Sequence, residues 1–213
     1  MASFSLRTGS GFLSVTLACV ITGAWAQLPD IELQKTLPIA LDADSSEFDR
    51  KNDKLLFSGL RITQGSLHIE ADEAEASRLD FENSQWTFTG NVVIENVGTK
   101  AFCDHAEILF KDHLIENARM SGSPVKFSQI RPEDDSVTRG RANIMEYSLQ
   151  DGIIRMSEDA WLSDGANEVS GNRITYDLVR EYIMADADES GQVRMKINPP
   201  EKDLPKREAE QSP

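Results

Sequence analysis

The sequence predicts an all-β fold: a twisted β-jellyroll, one rolled antiparallel sheet built from repeated strand-turn-strand units. Three observations predict it. First, Trp86 and Phe88 alternate with Thr87 and Thr89, and Val92 and Ile94 alternate with Asn91, Val93 and Glu95. A period of two sends successive side chains to opposite faces of a strand. Gly90-Asn91 separates the two runs, where a chain tolerates a bend or a change of register. Second, the same layout is echoed at 56–62, 120–127 and 156–162. Third, a mark recurs. Asp44, Asp72, Asp104, Asn143 and Asn172 are each followed, two and four residues on, by mostly apolar side chains. Their spacings are 28, 32, 39 and 29 residues. A period near 30 indicates an array whose units cannot bury a face alone.

Residues 1–26 read as a cleaved signal peptide. Arg7 gives a weak positive start, 11–23 is apolar but short for a bilayer span, and Ala24-Trp25-Ala26 suits a signal peptidase. Two other readings exist, an uncleaved anchor and a lipid on Cys19. Thr16 is a poor residue for the latter motif, and Cys19 lies in the middle of the apolar run. Residues 27–38 form an N-terminal linker ending at Pro38, and 39–198 the β-jellyroll domain. The Ala and Glu content of 72–79 suggests a helix, yet equivalent positions in the other repeats are β-branched or aromatic, so a strand is expected. The long 39-residue step holds a charged, proline-containing insertion at 130–137, expected to be a mobile surface loop. Val193, Met195 and Ile197 define a last strand, which Asn198-Pro199-Pro200 stops. Residues 199–213 have almost no apolar content and are expected to be a disordered tail.

The 213 residues carry a formal charge of −14, and Arg7 is the one charge in 1–26, so the rest stands near −15. Such a surface repels phosphate backbones, which argues against nucleic acid as a partner. Export leaves a single cysteine, Cys103, in a strand-like run; burial as a small hydrophobe is expected, and no internal disulfide can form. His68, His105 and His113 lack metal-ligand spacing, and His68 and His105 are expected at exposed polar positions. Asp186-x-Asp188-x-Ser190-Gly191 starts like a calcium loop, but Ile197 stands where the bidentate acid belongs. No nucleophile has a recognisable setting, so no enzymatic activity, metal or cofactor is expected. What remains is a set of apolar residues at two-residue spacing. Leu67, Val92, Ile94, Val125, Phe127, Met145, Tyr147, Ile174 and Tyr176 are expected to face inward. They serve as core, and as a set they line a slot suited to acyl chains. Trp86 and Trp161 are also read as interior.

These residues carry a resemblance. Phe88-Thr89-Gly90-Asn91-Val92, Pro124-x-x-Phe127-x-Gln129, Gly140-x-Ala142 through Tyr147, Gly171-x-x-Ile174-x-Tyr176-Asp177 and Val193-x-Met195-x-Ile197-x-Pro199 follow one another in order. Over about residues 64–199 the chain resembles the OstA-like family of periplasmic lipopolysaccharide transport proteins. The resemblance implies a twisted β-jellyroll that stacks end to end. It implies a periplasmic bridge carrying lipopolysaccharide from the inner to the outer membrane, with Phe127 and Tyr147 at ligand-contacting positions. The implied partners are lipopolysaccharide, an inner-membrane-anchored transport protein of the same fold, and an outer-membrane translocon barrel. Residues near 40–66 read as an extra unit ahead of the best-matching part.

Open sheet edges suit head-to-tail self-association, with Val193, Met195 and Ile197 as the docking edge. Arg194 and Lys196, basic on an acidic chain, are expected to meet an acidic N-terminal edge at 39–48. The alternatives are an inner-membrane-anchored member of the same system, or a periplasmic structural or glycan-binding β-protein. The latter is disfavoured on the reading of both tryptophans as interior.

Overall fold

The structure, a computed structural model, describes residues 35–52, 54–79, 81–131, 135–148, 150–187 and 191–198. The expected signal peptide, linker residues 27–34, the tail at 199–213 and the Asp188-to-Ser190 part of the calcium-like motif lie outside the described residues. Among those described the elements are twelve strands. They are β1 (Ala40–Asp42), β2 (Ser45–Asp49), β3 (Lys54–Gln64), β4 (Leu67–Ala76), β5 (Asn83–Asn96) and β6 (Thr99–Lys111). β7 (Leu114–Ile130), β8 (Val137–Ser148), β9 (Ile153–Ser163), β10 (Asn167–Asp177), β11 (Tyr182–Asp186) and β12 (Arg194–Ile197) complete the set. The Ala-Glu-rich stretch is strand, as expected, because Ala74 and Ala76 stand opposite Phe88 and Trp86.

The strands form a single sheet in which β3 to β10 pair antiparallel in sequence order. Both outer strands are split. β1 covers Arg61 to Thr63 of β3 while β2 covers Lys54 to Ser58. At the far side, β12 covers Asn167 to Ser170 of β10 while β11 covers Arg173 to Asp177. Residues 132–134 of the expected mobile insertion lie outside the described residues; on either side of them Arg131 N donates to Ser136 O and Asp135 N to Arg131 O, between β7 and β8.

Each repeat unit is one long strand, and the turn within it is a bulge. Register shifts fall between Glu70 and Glu73, Thr89 and Val92, Phe102 and His105, Ser121 and Val125, and Arg141 and Ile144. The recurrent Asp/Asn mark sits on this line. Buried positions jump by three there, from Ala71 to Ala74, Cys103 to Ala106 and Ala142 to Met145. An extra residue bends the strand and increases its twist. Glycines on neighbouring strands receive the aspartates. A Cβ at Gly59 would overlap Asp44 Oδ2, and one at Gly90 would lie 2.5 Å from Asp72 Oδ2. Asp72 Oδ2 also accepts from Asn91 Nδ2 at 2.8 Å, and Asp104 Oδ2 accepts from Ser123 N at 3.1 Å.

The line divides the sheet into two halves that fold over one hydrophobic core. Three relationships show the halves meeting. A Cβ at Gly140 would lie 3.0 Å from Met156 Sδ of the other half. Tyr176 hydrogen-bonds to Thr138. Arg131 Nε lies 3.4 Å from Glu181 Oε1. One half is weighted with aromatics. Trp86 stacks between Phe57, Phe81 and Phe88 at centroid distances of 5.7, 4.9 and 5.9 Å. Its indole N–H donates to Ser84 Oγ at 3.2 Å, which satisfies the one polar atom it buries.

Candidate functional site

The registers join the inner-face residues into rows that cross every strand. In one half the row is Leu41, Ile62, Ile69, Ile94, Ala101, Phe127, Gly140, Leu162, Val169 and Met195. In the other half it is Phe48, Leu55, Ala76, Trp86, Ile108, Ala118, Tyr147, Ile154, Tyr176 and Ile183. Paired residues of an antiparallel sheet share a face, so each row is one continuous apolar stripe. The stripes do not stop at the last covered strand. Phe48 is 51% exposed at the N-terminal edge, and Met195 67% and Ile183 40% at the C-terminal edge.

Every expected slot residue falls on the inner face. Leu67, Val92, Val125 and Phe127 are buried in one half, and Met145, Ile174 and Tyr176 in the other. Ile94 and Tyr147 are half-buried against the same core. Burial pushes the Tyr147 and Tyr176 hydroxyls above the usual tyrosine range. In this structure the halves are packed together, so the predicted slot positions form a closed core. Pairwise alternation missed other inner-face residues, among them Met120, Met156, Ala118 and Leu162. Only the strand-to-strand register, which a single strand's periodicity does not contain, puts them in line. Cys103 is buried, and its thiol is pushed up to about 12, first by desolvation and then by the Asp104 carboxylate.

Ion pairs cross neighbouring strands on the outer face. Arg61 pairs with Glu70 at 3.2 Å, Lys111 with Glu116 at 3.1 Å, and Arg119 with Glu146. His68 and His105 are partly exposed there, His68 Nε2 lying 2.9 Å from Glu70 Oε1. The His68 contact, ahead of the Arg61 charge, holds the Glu70 carboxyl below its ordinary range. Among the described residues no group of His, Cys, Asp and Glu is arranged to hold a metal.

One expectation is corrected. Trp161 is on the outer face, where it pairs with Arg141 and Ser170, because Ala160 and Leu162 take the interior. The first repeat does not bury Phe48, which sits on an outermost strand with nothing beyond it. At the C-terminal edge Met195 and Ile197 occupy the inner-face positions but are 67% and 71% exposed. Within the chain, Lys196 Nζ lies 3.1 Å from Glu168 Oε1.

Comparison with known proteins agrees with this architecture. The family described as LptA/(LptD N-terminal domain) LPS transport protein matches residues 73–182, just over half of the chain. The lipopolysaccharide export system protein LptA of Escherichia coli K12 is 29% identical over 124 residues, 57% of this chain and 64% of the relative. The chain therefore spans under two thirds of that relative's length. The protein of the same name from Haemophilus influenzae is 27% identical over 57% of this chain and 72% of its own. In fold, the chain resembles the crystal structure of LptH, the periplasmic LptA homologue of the lipopolysaccharide transport device of Pseudomonas aeruginosa. The TM-score is 0.52 at 20% identity, covering 78% of this chain and 99% of that one. The chain belongs to the family of LptA/(LptD N-terminal domain) LPS transport proteins.

Proposed function

We propose that the protein is a periplasmic, lipopolysaccharide-binding bridge component that carries lipopolysaccharide from the inner to the outer membrane. The observation that carries this reading is the pair of apolar stripes crossing the whole sheet and ending uncovered at both edges. A stripe that ended in polar residues would close the core. One that ends in Phe48 and Leu41 at one side, and Met195 and Ile183 at the other, continues into whatever docks there. The proposed partners at the two edges are further copies of this chain, a membrane-anchored protein of the same fold on the inner side, and a translocon barrel on the outer side. The role is carriage, without a covalent step.

Acyl chains are proposed to lie between the halves. Burial of each methylene is worth about 0.8 kcal/mol, a term that does not require attracting phosphates to a chain of charge −14. The halves must part to admit them, with the bulge line as the hinge. The inner face suits such repacking. Met120, Met145 and Met156 are opposed in sequence across three strands, and methionine is the most adaptable core side chain. Small Ala74, Ala101, Ala106 and Ala118 leave least to displace.

The test is photocrosslinking in cells. A photoreactive residue at Phe127 or Tyr147 is expected to capture lipopolysaccharide, and one at outward-facing Lys126 or Glu146 to capture none. Equal capture from all four would overturn the inward path.

A further inference from the structure

We propose that the open cavity around Trp161, on the outer face, is a binding site for acidic saccharides. It lies on the opposite side of the sheet from the stripes, so the inference does not depend on the acyl path. The cavity holds about 610 Å³, the size of a short oligosaccharide, and Arg141, Asn143, Asp159, Trp161, Gln192 and Arg194 are among the residues around it.

A large aromatic on an outer face calls for a reason, and here the ring is held in place before any ligand arrives. The Arg141 guanidinium carbon lies 5.1 Å from its centroid, and its indole N–H donates to Glu168 Oε2 at 3.3 Å. Glu168 is in turn fixed by Lys196 at 3.1 Å. Lys196 first, and then the Trp161 N–H, keep that carboxyl below its usual range, so it remains an ionised acceptor. A fixed ring loses little entropy on binding. A flat apolar ring beside amides, a carboxylate and guanidinium groups matches the two faces of a pyranose. Its axial C–H groups pack on the ring, and its hydroxyls bond in pairs to planar side chains.

The charge selects among saccharides. Two arginines face one aspartate around the cavity, and Lys196 offsets the ionised Glu168 beside the ring, which leaves a local excess of positive charge on a chain of −14. Guanidinium forks bind carboxylate and phosphate bidentately. The bulge line makes the space. Glu158 and Asp159 both have positive φ, 64° and 55°, where the β8–β9 register shifts beside the cavity, and Gly171 is among the residues around it.

The experiment titrates the full chain with two acidic probes and one neutral control while following tryptophan fluorescence and heat. The probes are a deacylated, phosphorylated lipopolysaccharide oligosaccharide and a muramic-acid disaccharide bearing its peptide; the control is maltotriose. At least one acidic probe is expected to bind, more weakly as salt rises, and about tenfold or more tighter than maltotriose. Trp161→Ala is expected to weaken it about tenfold, the scale of removing an aromatic anchor, and Arg141→Gln and Arg194→Gln each to weaken it less. Should Trp161→Ala fail to fold, the double variant Arg141→Gln/Arg194→Gln carries the same test. Which probe binds tells a lipopolysaccharide headgroup from a cell-wall glycan. Lack of binding by both, undiminished binding in the variants, or equal binding of maltotriose overturns the proposal. Capture of lipopolysaccharide from Phe127 is expected to be unchanged in Trp161→Ala, which separates this site from the interior path.

Discussion

The ring of Phe127 occupies the space that a side chain at Gly140 would need. The two residues are cross-strand partners on β7 and β8, and a Cβ at Gly140 would overlap Phe127 Cε1 and lie 2.5 Å from Cδ1. Met156 Sδ, 3.0 Å from the same point, closes the gap from the other half. Gly140 is thus the missing side chain in its stripe, and Phe127 fills its place.

Gly140→Ala is therefore an overpacking change. A loss of about 1–3 kcal/mol is expected, read as a fall in melting temperature of several degrees. Phe127→Leu in the same molecule removes the overlapping ring atoms, so the double variant is expected to lose less than the sum of the two single changes. Additive losses in thermal melts would show that the ring moves aside freely.

A second prediction concerns the bulge line. Gly90 has φ +79° and its hydrogen faces the Asp72 carboxylate, whereas Gly165 has φ +94° and nothing within 4 Å of its Cβ position. Alanine at either position meets the left-handed strain of about 1 kcal/mol. Only Gly90→Ala also meets the 2.5 Å contact with Asp72 Oδ2. Gly90→Ala is expected to cost clearly more than Gly165→Ala in urea unfolding. The difference should shrink when Asp72→Ala is added. Equal costs would mean that the aspartate tilts away without loss.

The third concerns alkaline stability. Burial pushes Cys103 from 9.0 up to about 12 and moves Tyr147 and Tyr176 upward from 10.0. A raised folded value means that the native state holds its proton while the unfolded chain loses it. The stability is fully present below pH 9 and is lost as pH rises toward 12. The thiol alone sets a slope of at most about 1.4 kcal/mol per pH unit in that window. Cys103→Ala is expected to flatten the fall between pH 9 and 10, leaving the tyrosine part above it. Native Cys103 is also expected to resist thiol reagents at pH 9 until denaturant is added. Rapid labelling without denaturant would contradict the burial.

Sequence alone carried the strands, the bends and most of the interior, for a physical reason. Alternation is written in the residues themselves, and Asp72, Asp104, Asn143 and Asn172 mark where one extra residue resets it. It failed where alternation is silent. Ala160-Trp161-Leu162 is three apolar residues in a row and fits either face, so an alternation that reads Trp161 as interior is not fixed by these residues. The register put it beside Arg141 and Ser170. Phe48 follows the mark at the same distance as Ile108 and Tyr176, yet it has no covering strand, since position in the sheet order is not a local property. The stripes were illegible for the same reason. They are a relation among ten strands, whereas periodicity reports on one.

The last prediction follows from where the stripes end. At the C-terminal edge, Met195 and Ile197 share the inner face with Val169 and Asn167 and are left uncovered. At the N-terminal edge, Leu41 and Phe48 continue the rows of Ile62 and Leu55. Joining the β11–β12 edge to the β1–β2 edge of a second copy would extend both stripes and cover these side chains. The attraction is then apolar, since Lys196 is already engaged by Glu168. Burial of two such side chains is worth several kcal/mol at most, so the double variant Met195→Asp/Ile197→Asp is expected to weaken self-association about a hundredfold or more. Removing 192–213 should have the same effect and leave a folded monomer. Lys196→Ala should associate as the parent does, and high salt should strengthen assembly slightly, because it screens the repulsion between two acidic chains. Sedimentation velocity over a concentration series reads all four. If Met195→Asp/Ile197→Asp assembles at the parent's concentration, the C-terminal edge is not where copies meet. If Lys196→Ala alone abolishes assembly, the contact is ionic and the stripes end there.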